Sequence, residues 1–535
     1  MPGLTDPFAP PLTPTEARHG MVVSPHTLAS QAGQRVLRQG GNAVDAAITT
    51  HAALSVTYPH MTGLGGDAFL MIYDAATGKL LGLNGSGPAA QGVQPEQYVG
   101  QQLPQRGIAA ALTVPGALSA WWQAHQRLGK LPWVEVLKPA IHLARDGYPC
   151  SASQARWTQT DRALLAADAG AAATFLPEGR LPKPGEPLTN IDLARVLAAI
   201  ATQGIDVFYN GAIAQRLIAR IAAEQGVLTQ ADLANYTAEW VTPLQTTYRG
   251  HTICELPPNT QGLAVLQLLN LIEPFNLAKM GADSPDYYHL MVEATKLAFC
   301  DRDTYISDPS FVGIPVQQLL NKDYAQRRGA RISFSATQHY LPAPMGGDTV
   351  YAAVVDAEGN AVSMIQSLYF DYGCGIVPPG LGFALNNRGS LFSTDPNHVN
   401  GIKPGKRPLH TLIPAMVLDG DGRPELVLGT MGGEGQPQTQ SALITRVIDF
   451  GQDIQTAINL PRWRWGRTWG AASTTLAMEG RISAAVRQSL QRRGHQVQRL
   501  PDWTSEMGHA HMIQIRPEGL RGACDPRSDG QAVGY

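Results

Sequence analysis

Pairs of short apolar runs, each folded about a glycine-containing turn, constrain this chain more than any other feature. Val350-Tyr-Ala-Ala-Val-Val355 and Ala361-Val-Ser-Met-Ile365 flank Asp356-Ala-Glu-Gly-Asn360. Ala415–Leu418 and Glu425–Leu428 flank a second Gly-rich turn, and His511–Ile515 and Leu520–Ala523 flank Arg516-Pro-Glu-Gly519. Each pair reads as a β-hairpin. An earlier pair, Ala68–Tyr73 and Leu80–Leu83, surrounds Asp74-Ala-Ala-Thr-Gly-Lys79. Helical composition separates them. One helix is expected from His26 to Gln39, with Ser24-Pro25 as its start and Gly40-Gly41 as its stop. Asn42 is expected to cap a second, Ala-rich helix running to about Thr57, and helical periodicity dominates from about 110 to 330, around 436–458 and around 482–493. Residues 1–20 read as a Pro-rich arm. Hairpins that must bury a face, interleaved with amphipathic helices, predict sheets covered by helices. No internal repeat or low-complexity linker divides the 535 residues, so one interwoven core is expected.

Composition narrows the partners. The 41 Lys and Arg residues nearly balance 43 Asp and Glu, a net charge of -2 that gives no footprint for nucleic acid or an anionic membrane. Cys150, Cys254, Cys300, Cys374 and Cys524 are scattered and contain no C-x-x-C pair, so neither a disulfide framework nor a Cys-rich zinc site is indicated. No apolar run approaches a membrane span, and the first 20 residues lack the basic start and apolar centre of a secretory signal. A cytoplasmic protein is the expectation.

Familiar catalytic signatures are missing: no G-x-x-x-x-G-K-[ST], no H-E-x-x-H and no G-x-S-x-G. Gly429-Thr-Met-Gly-Gly-Glu-Gly435 lacks the Lys of a phosphate loop, but consecutive glycines let backbone N–H groups point into a site. His509 and His511 alternate as on a strand with no third ligand apparent, which favours a structural role over a metal. Gly346-Gly-Asp-Thr349 enters a strand. Its threonine is either an ordinary strand residue or, if the preceding bond is cut, a nucleophile. A freed Thr349 would carry a hydroxyl together with an α-amine of pKa roughly 7.7–8.0, able to act as its own base.

A series of segments decides between these. Gly41-Asn-Ala-Val-Asp-Ala-Ala47, Gly63-Leu-Gly-Gly-Asp67, Val114-Pro-Gly116, Ala144-Arg-Asp-Gly147, Gly347-Asp-Thr349, Asn386-Asn387, Lys406-Arg-Pro408, Gly432-Gly433 and Asp525-Pro-Arg-Ser528 follow one another in this order. With them the chain resembles the γ-glutamyltransferase family of N-terminal nucleophile hydrolases over nearly its whole length. The resemblance implies an α+β fold, a four-layer αββα sandwich, and a proenzyme that cleaves itself between Asp348 and Thr349. The implied products are a large chain, 1–348, and a small chain, 349–535, sharing one core, with a homodimer of processed heterodimers as the possible assembly. It makes Thr349 the nucleophile, puts the Ser367 hydroxyl beside it in hydrogen-bond contact, and makes Gly432 and Gly433 the backbone oxyanion hole. No metal or organic cofactor is implied.

The departures from the family pattern concern the substrate. The stretch matching the family's carboxylate-binding arginine is Leu83-Asn-Gly-Ser-Gly-Pro88, which has no Arg. Leu391 stands where the family grips the α-amino group, Tyr369 where it has Asn, Arg388 where it has Gln, and His410 and Thr411 where it has paired serines. The amino-acid clamp is rewritten while the chemistry residues remain. An ammonium beside Leu391 and Arg388 would be costly. The expected substrate is therefore a small amide with a carboxylate and no α-amino group, oxamate being the best single choice. Arg388 would bind its carboxylate, lined by Tyr369, His410 and Thr411, without taking part in self-cleavage. The alternatives are a glutathione hydrolase with an altered clamp, a dicarboxylate-monoamide acylase of the cephalosporin acylase type, and an unprocessed binding protein.

Overall fold

The computed structural model describes residues 13–340, 347–466 and 473–535. Residues 1–12 of the Pro-rich arm and Gly346 of the junction motif lie outside them. Two seven-stranded sheets organise the rest. The first runs, edge to edge, through Gln531–Gly534, Met21–Ser24, Asp348–Val355, Ala361–Tyr369, Asp67–Asp74, Lys79–Gly85 and Glu239–Val241. The second runs through Thr15–Ala17, Gly519–Ala523, Ala510–Arg516, Pro424–Thr430, Ala415–Leu418, His251–Glu255 and Leu244–Tyr248. Every pairing within both sheets is antiparallel.

Strand alternation separates three apolar layers. Phe69, Met71, Tyr351, Ala353 and Ile365 of the first sheet pack against Cys254, Met416, Val427 and Ile513 of the second. On the outer face of the first sheet, Val22, Leu70, Ile72, Val354, Val362 and Met364 meet helices that include Ala43–Thr57, Ala117–Leu128 and Trp133–Asp146. On the outer face of the second, Ile253, Val417, Leu426, Leu428 and Met512 meet Gly262–Ile272, Pro285–Tyr305 and Gly435–Ile448. The result is the helix–sheet–sheet–helix sandwich expected from sequence. Among the described residues no helix is long and apolar enough to cross a membrane.

The hairpins form as expected, and Asn42 caps Ala43–Thr57 in a reciprocal box with Asp45. Other local expectations change. The first helix begins at Thr27 with His26 as its cap, because Ser24 ends a strand paired on both sides. Thr15–Ala17, within the arm, pairs with Leu520–Gly522. The helical stretch from 110 to 330 also contains Glu239–Val241, Leu244–Tyr248 and His251–Glu255, which extend the two sheets.

Candidate active site

Thr349 lies near the start of a central strand of the first sheet, with the Asp348–Thr349 bond intact. Pairing is Val350 with Gln366 but Asp348 with Tyr369, so the register shifts by one residue around Thr349. Such a bulge re-aims side chains and is a frequent neighbour of active sites. The Thr349 side chain is 1% exposed and its Oγ1 has no hydrogen-bond partner among the described residues. A buried hydroxyl left unsatisfied in a native fold calls for a chemical explanation. Gly347, at φ +135°, sits against Tyr369, where a Cβ would come within 2.7 Å of the ring. Only glycine fits there beside the junction.

Ser367 was expected to bond Thr349. Its hydroxyl instead donates to the carbonyl oxygen of Asp348, the acyl oxygen of the junction itself. The reason lies in the donors around it. The Tyr369 N–H, at 2.7 Å, and Arg388 Nη2, at 3.0 Å, both donate to Ser367 Oγ. With its lone pairs so occupied, the hydroxyl has only its proton to offer, and that points at the carbonyl.

Arg388 is fully buried. It begins a short helical turn, Arg388–Leu391, and its guanidinium lies 4.4 Å from the centre of the Tyr369 ring. Nη1 donates to Thr411 Oγ1 at 2.9 Å. Asp67 Oδ2 is 3.9 Å from Nε, which itself has no hydrogen-bond partner among the described residues. Burial pulls the guanidinium down to about 10, against the opposing pull of Asp67, so Arg388 stays charged at neutral pH. Asp67 is pushed up to about 7 by burial, partly offset by Arg388 and by backbone donors that include Gly87. His410 Nε2 is 3.2 Å from Asp67 Oδ2, while its Nδ1 accepts from the Leu412 N–H at 3.3 Å. This fixes the Nε2–H tautomer, and burial followed by the Arg388 charge holds the imidazole neutral. Thus Arg388, Tyr369, His410 and Thr411 do come together around Ser367. Leu391 packs among Leu263, Ile306, Leu319, Leu409 and Tyr369.

The glycine pair follows the Pro424–Thr430 strand. Gly432 and Gly433 have φ of +124° and +53°, and Met431, next to them, shares an apolar cluster with Val350. That shared cluster places the glycine turn near the Thr349 end of its strand. Neither glycine N–H donates to another group among the described residues. Gln261 fastens the turn, donating through Nε2 to the carbonyls of Gly433, at 3.0 Å, and Thr411, at 2.9 Å. Arg302 in turn donates to Gln261 Oε1 at 3.2 Å.

Several of these residues carried no assigned role in the sequence. Asp67 ends one of the quoted motifs, but only the fold reveals its partners. At the junction itself, the buried side chains of Asp348 and Asp371 lie close to each other, with Asp161 and Arg106 nearby. Burial raises Asp348 to about 6, and burial plus the Asp348 charge drives Asp371 well above the carboxylate range. Arg106 donates to the Asp371 and Gly373 carbonyls and pairs with Asp161 at 3.6 Å. His509 and His511 gather no third metal ligand among the described residues. His289, Glu293 and His495 do bring ligand atoms within 4.8 Å of one another. There, however, Lys296 Nζ, Thr337 Oγ1 and the Gln338 N–H, at 2.7, 2.6 and 2.9 Å, already occupy Glu293. That cluster fastens the segment leading to the junction.

Comparison with known proteins agrees with this geometry. The gamma-glutamyltranspeptidase family model matches residues 29–535. The chain is 45% identical to a glutathione hydrolase-like YwrD proenzyme of Bacillus subtilis over 519 residues, covering 96% of this chain and 98% of the relative. It is 42% identical to an oxamate amidohydrolase proenzyme of Klebsiella pneumoniae over 524 residues, covering 97% and 98%. Among solved structures, cephalosporin acylase from Bacillus halodurans superposes with a TM-score of 0.92 at 38% identity, covering 100% of this chain and 99% of that one. With a family match over nearly the whole chain and the junction threonine buried in the central sheet, this protein belongs to the gamma-glutamyltranspeptidase family.

Proposed function

We propose that the chain is a proenzyme that cuts itself between Asp348 and Thr349 and then hydrolyses a small anionic amide, oxamate being the first candidate. The observation that carries this reading is an unsatisfied, buried Thr349 hydroxyl beside a junction carbonyl that a buried cation, Arg388, reaches through the Ser367 hydroxyl. In the intact chain the Asp348 acyl group occupies the place a substrate acyl group needs, and Thr349 is closed to solvent. Cleavage into 1–348 and 349–535 frees both the α-amine and the space.

In the processed enzyme Thr349 Oγ attacks the amide carbon and its α-amine takes the proton. The Gly432 and Gly433 N–H groups face the oxyanion. The amine or ammonia leaves with the proton, and water resolves the acyl-enzyme. Arg388 retains an unpartnered Nε–H and further Nη protons for a substrate carboxylate. A γ-glutamyl donor would need a counter-charge for its ammonium, and the apolar setting of Leu391 offers none. The Klebsiella pneumoniae relative named as an oxamate amidohydrolase supports the same substrate class.

The test has two parts. N-terminal sequencing of the small fragment should begin Thr-Val-Tyr-Ala, and Thr349→Ala should remain one inactive chain. Ammonia or amine release should then be measured across oxamate, succinamate, glutaramate, glutaryl-amides, glutathione and a γ-glutamyl anilide. Anionic amides without an α-amino group should give the highest kcat/KM. Glutathione as the best substrate would sink the substrate reading while leaving the nucleophile in place.

A further inference from the structure

The proposed substrate-binding arginine is already engaged before any substrate can enter. In the uncleaved chain Arg388 Nη2 donates to Ser367 Oγ, and Ser367 donates to the Asp348 carbonyl oxygen. Behind Arg388 stand Asp67, 3.9 Å from Nε, and Thr411 Oγ1, 2.9 Å from Nη1. His410, neutral, donates to Asp67 from the far side. All five side chains are buried. They form one connected path from the Asp67 carboxylate to the junction carbonyl, and no part of it requires an external ligand.

We propose that Arg388, oriented by Asp67, is a positioning residue for self-cleavage: it fixes the Ser367 hydroxyl on the Asp348 carbonyl oxygen and supports the charge that develops there. This rests on the reading of Thr349 as the self-cleaving nucleophile. In the first step Thr349 Oγ bonds to the Asp348 carbonyl carbon, and the carbonyl π electrons move onto oxygen. Ser367 O–H faces that oxygen. The guanidinium, donating to Ser367 Oγ, polarises the hydroxyl and makes it a stronger donor. The C–N bond then breaks, with the proton lost from Oγ ending on the Thr349 nitrogen. Water adds to the resulting ester, its hydroxyl going to the Asp348 acyl carbon and its proton returning to Thr349 Oγ. One peptide bond and one water give one carboxylic acid and one amine.

The consequence is that a residue chosen for substrate also sets the rate of maturation. Arg388 cannot be exchanged for a different specificity without touching Ser367. This runs opposite to the expectation from sequence that Arg388 leaves self-cleavage untouched, and the rate of conversion decides between them.

The test is a double-mutant cycle on the rate at which purified single chain converts to two bands on a denaturing gel. Arg388→Gln should slow conversion by about 10-fold or more, less than the loss of a direct oxyanion donor. Asp67→Asn should slow it in the same direction, and Arg388→Lys should recover part of the loss. On a Ser367→Ala background, Arg388→Gln should add less than about 3-fold, because the path it acts through is gone. A purely structural role would show the same multiplicative loss on both backgrounds. Wild-type conversion in Arg388→Gln, or fully independent effects of Arg388 and Ser367, would overturn the proposal. Each variant is also made with Thr349→Ala and melted, so that folding is read separately. If Arg388→Gln does not fold, Arg388→Lys, which keeps a cation beside Asp67, is judged by the same outcomes. Conversion needs no added substrate. A failed amide panel with slow Arg388→Gln conversion therefore rejects only the substrate reading, and the reverse rejects only this one.

Discussion

At the residue scale, two carboxyl groups dominate the uncleaved junction. Asp348 and Asp371 are buried side by side, both displaced upward by burial, and Arg106 offsets little of it. Asp348 goes from 3.8 when free to about 6 in the fold, so the folded precursor holds its proton more tightly than the unfolded chain does. The stability this gives is fully present below the free carboxylate value and is lost as pH rises through about 6. The thermal unfolding midpoint of uncleavable Thr349→Ala precursor should therefore fall steadily from pH 4 to beyond pH 6. Adding Asp371→Asn should flatten that profile and raise the midpoint at pH 7; an unchanged slope would mean the pair is not the source. Ser367 gives a second prediction. Removing its hydroxyl in Ser367→Ala deletes the donor to the junction carbonyl, and conversion should slow by roughly 10²-fold, the cost of one oxyanion donor. Ser367→Thr, which keeps the hydroxyl, should convert at a rate close to wild type.

At the element scale, the site depends on how closely the two sheets approach beneath Thr349. Tyr351, two residues along the nucleophile strand, fills the space between sheets and reaches Ser363 through its hydroxyl at 2.9 Å. Gly429, on the strand that leads to the glycine turn, lies directly against that ring; a Cβ there would be 2.3 Å from Cδ2 and Cε2. Gly429→Ala must push either the ring or the strand away. It should destabilise the protein by about 1–3 kcal/mol, as overpacked cores do, visible as a lower urea midpoint. Because the strand it displaces leads, past Thr430, into Gly432 and Gly433, kcat should fall as well, while KM for the best amide stays near wild type.

At the scale of the whole molecule, a cut at Asp348–Thr349 severs the chain without dividing either sheet. In the first sheet, strands Asp348–Val355 and Ala361–Tyr369 lie between Met21–Ser24 and Asp67–Asp74, and Gln531–Gly534 forms the far edge. In the second, four consecutive strands from the last third lie between Thr15–Ala17 and His251–Glu255. Each fragment thus supplies strands to both layers, and the inter-sheet core draws on both. The processed fragments should co-elute on size-exclusion chromatography in native buffer and separate only in denaturant. Separation under native conditions would contradict this interleaving.

The hairpins, the Asn42 cap and the helical stretches were legible along the chain because their causes are local: turn glycines, alternation and a side chain reaching its own helix end. Thr349, Ser367, Arg388, His410, Thr411 and the Gly432–Gly433 pair were singled out differently, by their places relative to ordered motifs that resemble a known family. Edge strands such as Thr15–Ala17, Gln531–Gly534 and Glu239–Val241 were not, since three or four residues become a strand only when a neighbour supplies the hydrogen bonds. The same holds for the site's direction of action. Asp67 meets His410 across 343 residues of chain, and no spacing in the sequence encodes that contact. Ser367 points at the Asp348 carbonyl because Tyr369 and Arg388 take its lone pairs, a geometry fixed by burial and by the register shift at Thr349. The residue types set which chemistry is available; packing of distant segments decided which atom each group serves, because unpaired polar atoms in a closed core must find partners wherever the fold puts them.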